Sequence, residues 1–125
     1  MTNNKPFRFG DRIRSFKFAI EGILSFFKTE HNAWIHCVAA TVVIIAGFVL
    51  KVTVNEWCWL IIAIAMVLIT EMINTALEVL CDLVSPGINP AIKKIKDISA
   101  GAVLMASIAA VAIGLIVFFP RIIVL

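Results

Sequence analysis

The sequence predicts an all-α integral membrane protein, with an N-terminal amphipathic surface helix followed by three transmembrane helices. Three observations carry this. The 125-residue chain is 62% hydrophobic, with mean hydropathy +1.04, whereas soluble domains are about 45–50% apolar. The excess is gathered into three long runs nearly free of charge, as a bilayer rather than water requires. The basic residues flank those runs, which reads as membrane topology rather than nucleic-acid binding despite the net charge of +3. A chain this short makes one domain, 1–125, with no room for a separate soluble enzyme. Any chemistry must use residues on the membrane helices or their short connections.

Residues 1–10 are polar, with Pro6 and Gly10, and read as a fraying end. They lack the apolar core of a cleavable signal, so the first span is expected to serve as the targeting signal. Asp11 reads as the N-cap of a surface helix over 11–29. There Ile13, Phe16, Ile20, Ile23, Leu24 and Phe27 recur at helical spacing, opposite Arg14, Lys17, Glu21, Ser25 and Lys28. Phenylalanines on one face and bases on the other suit the bilayer surface.

The first span is expected over 33–50, where His36, Cys37 and Thr41 are the only mildly polar members. Residues 51–56 read as a turn. The second span is expected over 57–81, opening on Trp57 and Trp59 where an aromatic belt would lie. Its last part departs from the pattern, carrying Glu71, Asn74 and Glu78. Residues 82–97 read as a polar loop with Pro86-Gly87, Asn89-Pro90 and three lysines. The third span is expected over 98–119, with Asp97 at its N-terminus and Arg121 beyond its end. The N-terminal segment holds Lys5, Arg8, Arg12, Arg14, Lys17 and Lys28, and the second connection holds Lys93, Lys94 and Lys96. The opposite side has only Lys51 and Arg121. The positive-inside rule then puts the N-terminus in the cytoplasm. Ala102, Ala106, Ala110 and Gly114, each four apart, form a small-residue stripe that lets helices approach closely, and a homo-oligomer is expected. Cys37, Cys58 and Cys81 are an odd count without CxxC spacing and read as small packing residues.

Three polar groups are candidates for chemistry. Glu71, Asn74 and Glu78 share one helical face, which Asp82 extends. Glu71 lies about 16 Å of helix before Asp82, well inside one leaflet, where a carboxylate is costly and rarely idle. The plainer alternative is a polar clamp between helices. Glu30, Asn32 and His36 form a second group at the entrance to the first span, where Glu30 alone would more often be a solvated or capping carboxylate and His36 alone a buried, hydrogen-bonded histidine. Lys96-Asp97, directly before the third span, form the third. Carboxylates with lysines at one membrane face suit Mg²⁺ and phosphates, and a deeper carboxylate suits proton removal from a lipid hydroxyl. The physical reading is phosphoryl transfer to a membrane-embedded alcohol. Spacing alone leaves an ion or proton pathway equally open, and no Walker loop or GxGxxG turn is present.

The strings Glu71-Met-Ile-Asn74-Thr75-Ala76-Leu-Glu78-Val-Leu-Cys-Asp82 and Lys96-Asp97-Ile-Ser-Ala100-Gly101-Ala102-Val103-Leu104, with Glu30-His-Asn32-Ala-Trp-Ile-His36, resemble the prokaryotic diacylglycerol kinase family over nearly the whole chain. The resemblance implies an ATP- and Mg²⁺-dependent lipid kinase of the bacterial inner membrane, working as a homotrimer with sites between subunits. It implies Glu71 as general base, Glu30 and Glu78 as the Mg-ATP carboxylates, and Asn74, Lys96 and Asp97 as polar groups around the nucleotide and phosphates. The implied partners are ATP, a lipid alcohol and the bilayer, with no nucleic acid. The acceptor is diacylglycerol or undecaprenol, and the Glu-x-Asn-x-x-x-His pattern is closer to the undecaprenol branch. The rival is a small proton-coupled transporter using Glu71, which leaves Glu30 and Lys96-Asp97 unexplained.

Overall fold

The computed structural model describes residues 4–125, helical apart from residues 4–8, the short connections and the last residues. The first three residues of the expected fraying end lie outside the described residues. Four helices follow in order: α1 (Phe9–Thr29), α2 (His31–Val49), α3 (Val54–Val84) and α4 (Pro90–Ile123). The last three are long and apolar enough to cross a membrane. Even in α3 only 28% of the most apolar window is buried, and 11% in α2 and α4, so the outer faces present hydrocarbon to their surroundings. α4 packs along α3 in the most extensive contact, α2 rests on α3, and α1 meets α2. In α1 only Phe26 is buried.

Several boundaries differ from those expected, each for a local reason. α1 starts at Phe9 with Arg8 as N-cap. Asp11 is therefore inside the first turn, where its carboxylate complements the helix dipole rather than capping it. α3 starts at Val54, because Thr53 and Glu56 close a capping box: the Thr53 N–H donates to Glu56 Oε2 at 2.7 Å, and the Glu56 N–H donates to Thr53 Oγ1 at 3.2 Å. Glu56 thus belongs to the helix and not to the turn.

The polar loop shrinks to residues 85–89. α3 runs on to Val84, and α4 opens at Pro90, where Asn89 Oδ1 accepts from the Ala91 N–H at 2.9 Å and proline stands in the first turn. Asp97 is therefore two turns inside α4 and not at its N-terminus. At the far end α4 continues through Pro120 to Ile123, although the proline has no N–H to donate to the carbonyl of Ile116.

The turn after α2 is a Schellman motif: the Val52 N–H donates to Gly47 O and the Lys51 N–H to Phe48 O. Lys51 occupies the left-handed region with φ 52°, where glycine is usual. At this end Val52, Leu60 and Val117 are buried, with Val43, Trp57, Ile113 and Phe118 packed on them. Gly47 is required there, since a Cβ on it would fall 2.5 Å from Trp57 Cη2.

Candidate active site

The other end of α3 holds the carboxylates. Spacings of three and four put Glu71, Asn74 and Glu78 on one face of α3. Glu71 is 3% exposed and Asn74 8%, while Glu78 is half-buried. Burying an ionisable group without a base beside it is costly. Among the described residues no lysine or arginine pairs with Glu71; its one charge-capable neighbour is His36 of α2, with Nε2 3.9 Å from Glu71 Oε2.

Asn74 ties the face together. Its Nδ2 donates to Glu78 Oε1 at 3.3 Å, and its Oδ1 accepts from Ser99 Oγ of α4 at 2.7 Å. The helix-clamp alternative is therefore realised for Asn74, which joins α3 to α4 while also touching a carboxylate. Glu71 makes no such hydrogen bond among the described residues; its crossing contact is the 3.9 Å approach of His36 from α2.

The early start of α4 lays its first turns beside the end of α3. Lys96 Nζ donates to Asp82 Oδ1 at 2.6 Å, and Lys93 Nζ to Asp97 Oδ2 at 2.5 Å. The Lys93–Asp97 pair is well exposed and the Lys96–Asp82 pair is also open to solvent, and such pairs are worth little. Phosphate oxygens would displace them at small cost. Glu30 is half-buried at the junction of α1 and α2. Its side chain caps neither helix, so the capping reading does not describe it. No hydrogen bond or ion pair joins Glu30 to the other candidates among the described residues.

Five of the six candidates therefore take part in four small contacts, Glu71 with His36, Asn74 with Glu78, and the two lysine–carboxylate pairs, and Glu30 stands apart from them. No group of three or more His, Cys, Asp or Glu side chains forms a complete metal cage among the described residues. Mg²⁺ needs none, since one or two carboxylates with phosphates and waters complete its shell. Glu78 and Glu30 have oxygens of the right kind. Two participants were missed in the sequence. Ser99 carries no signal of its own in the sequence and His36 none that sets it against Glu71, because both contacts join different helices and leave no trace in the spacing along one helix.

A groove of about 370 Å³ runs between α2, α3 and α4. It starts at His36, passes Ala39, Ala63 and Ala110, and reaches Gly114 and Phe118. Apart from His36 and Ser107 its walls are hydrocarbon. Two members of the small-residue stripe, Ala110 and Gly114, widen it, and Ala106 is buried.

The family described as prokaryotic diacylglycerol kinase matches residues 17–118, a stretch that contains every candidate above. The undecaprenol kinase of Bacillus subtilis is 35% identical over 108 residues, covering 86% of this chain and 88% of that relative. The diacylglycerol kinase of a Synechocystis species is 37% identical over 107 residues, covering 85% of this chain and 61% of that relative's length.

Proposed function

Because this chain belongs to the prokaryotic diacylglycerol kinase family and is a lipid kinase of the membrane, we propose that it transfers the γ-phosphoryl group of ATP to the hydroxyl of undecaprenol or diacylglycerol at the cytoplasmic face, with its N-terminus on that side and α1 on the bilayer surface. The observation that carries the mechanism is the burial of Glu71, a carboxylate on a membrane helix held 3% exposed without a lysine or arginine partner.

In this reading Glu71 takes the proton of the lipid hydroxyl, the alkoxide oxygen bonds to the γ-phosphorus, and the bond to the β,γ-bridging oxygen breaks to release ADP. Glu78 and Glu30 would hold Mg²⁺, which when bound neutralises charge on the phosphates. Lys96 exchanges Asp82 for a phosphate oxygen, and Asp97 and Asn74 border the nucleotide. The groove below His36 suits a hydrocarbon tail, which would bring a headgroup hydroxyl up to Glu71. Undecaprenol is preferred as acceptor, because the undecaprenol kinase relative matches over most of its own length and the Glu30-x-Asn32-x-x-x-His36 pattern favours that branch. Assembly as a homotrimer completes the reading, since three helices alone leave much of their surface uncovered. A proton-coupled transporter is not favoured by the family.

The test is transfer of labelled phosphate from ATP in lipid vesicles, with undecaprenol and diacylglycerol offered separately and Glu71→Gln as the blank. Transfer to undecaprenol, lost in the blank, is expected. Transfer to neither lipid by folded, assembled protein would overturn the reading.

A further inference from the structure

Helical hydroxyls usually satisfy themselves on their own helix by bonding the carbonyl four residues back. Ser15, Thr29, Thr41 and Thr70 all do so here, each at 2.8–2.9 Å. Ser99 departs from this habit. Its Oγ crosses from α4 to α3 and donates to Asn74 Oδ1 at 2.7 Å. Ser99 is 7% exposed and Asn74 8%, so water competes little for this bond, and a buried polar group without a partner is expensive.

The consequence lies in the asymmetry of an amide, which has one accepting end and one donating end. With Ser99 donating to Oδ1, the Nδ2 of Asn74 is turned to Glu78 Oε1, 3.3 Å away. The reverse orientation would set the amide oxygen against a carboxylate. We propose that Ser99 is a positioning residue of the phosphoryl-transfer site: its hydroxyl fixes the Asn74 amide, which in turn aims the Glu78 carboxylate at the phosphate-bound cation. This rests on the assignment of Glu78 to Mg-ATP made above. Because the anchor lies on α4, two turns from the Asn89–Pro90 start of that helix, the α3–α4 contact itself sets the carboxylate's direction.

The test uses the full chain in lipid nanodiscs with three variants, Ser99→Ala, Ser99→Thr and Glu78→Gln. Two quantities are read: the KM for Mg-ATP against kcat, and the Asn74 side-chain NH₂ signals in asparagine-labelled protein, assigned with Asn74→Ala. Ser99→Ala is expected to raise KM roughly three- to tenfold with a smaller change in kcat, the loss of one buried hydrogen bond. Its Asn74 signals are expected to move toward free-amide positions. Ser99→Thr, which keeps the hydroxyl, is expected to recover both. Asn74 signals unmoved in Ser99→Ala would overturn the proposal, as would a loss in kcat alone that threonine does not restore. Glu78→Gln with an unaltered Mg²⁺ dependence would instead overturn the assignment of Glu78, while leaving the Ser99–Asn74 signature readable.

Discussion

α3 carries a carboxylate near each end of its apolar stretch, and the fold treats the two oppositely. Glu56, in the first turn, has one oxygen, Oε2, engaged twice. It accepts from the Thr53 N–H in the capping box, and the Arg121 guanidinium of α4 pairs with it. Arg121 also donates through Nη1 to Leu50 O at 3.2 Å and Lys51 O at 3.3 Å, closing the C-terminal end of α2. One arginine thereby ties three helices. Glu71 is far more buried yet, among the described residues, its one ionisable neighbour is His36 at 3.9 Å. A carboxylate surrounded by donors is spent on structure. One held dry without a strong base keeps its chemistry for a substrate. The sharpest way to break this comparison is to neutralise each in turn. Glu71→Gln should cut lipid phosphorylation by about 10²–10⁴-fold in folded protein, and Glu56→Gln should leave turnover per folded molecule near normal. Labelled-phosphate transfer in vesicles, normalised to folded protein, checks both. The opposite result would exchange the roles of the two ends.

A smaller effect should follow at Glu78, whose hydrogen-bond partner is an amide and which Lys96 reaches only through space. Its neighbour Asn74 donates only one weakly placed hydrogen bond, at 3.3 Å, leaving oxygens for a cation. Glu78→Gln should raise the Mg²⁺ concentration for half-maximal rate by roughly 10- to 100-fold, the scale of losing a charge-assisted contact. Folding should be little changed. An unaltered Mg²⁺ titration would move Glu78 to the structural side of the comparison, beside Glu56.

The two ends were also unequally legible in the sequence. At the Glu71 end the signal was strong, because charge is rare in an apolar run and spacings of three and four define a face. The helical spans were legible for the same reason, as long runs of one solvent preference. The opposite end was read only as topology: Glu56 as turn and Arg121 as a flanking base. Their pairing joins residues 65 apart in the chain, and no local pattern encodes it. The early start of α4 was signalled by Asn89-Pro90, an N-cap followed by a proline suited to the first turn, but the lysines after it suggested a polar loop. Amphipathic first turns outside a span carry hydrophilic residues without ceasing to be helix, so polarity marks the membrane boundary and not the helix end.

The Glu56 end should respond to packing as a structural region does. A Cβ on Gly47 would meet the Trp57 ring at 2.5 Å from Cη2 and 2.7 Å from Cζ2, and the ring is wedged by Phe48 at 4.9 Å between centroids. Gly47→Ala should therefore destabilise the protein by about 1–3 kcal/mol through overpacking. Denaturation in mixed micelles measures this, with turnover per folded molecule preserved. A loss of kcat in folded Gly47→Ala protein would mean that the two ends are coupled through α2, contrary to the comparison.

The finest distinction concerns how Arg121 holds its end together. A guanidinium reaches several acceptors at once in a fixed plane, and an ammonium does not. Arg121 uses that plane for a carboxylate on α3 and two carbonyls at the end of α2. Arg121→Lys keeps the charge but loses the fork, so one or two of these acceptors go unmet; Arg121→Met loses them all. The thermal midpoint should fall in the order wild type, lysine, methionine, with the lysine step the smaller one. Both variants should phosphorylate lipid at the wild-type rate per folded molecule if, as proposed, the transfer uses only groups at the Glu71 end. Equal midpoints for lysine and wild type would show that charge alone matters there, and the tie between α2, α3 and α4 would reduce to a single ion pair. A lowered rate in folded protein would instead show that the closure of α2 at one end fixes the distance from His36 to Glu71 at the other.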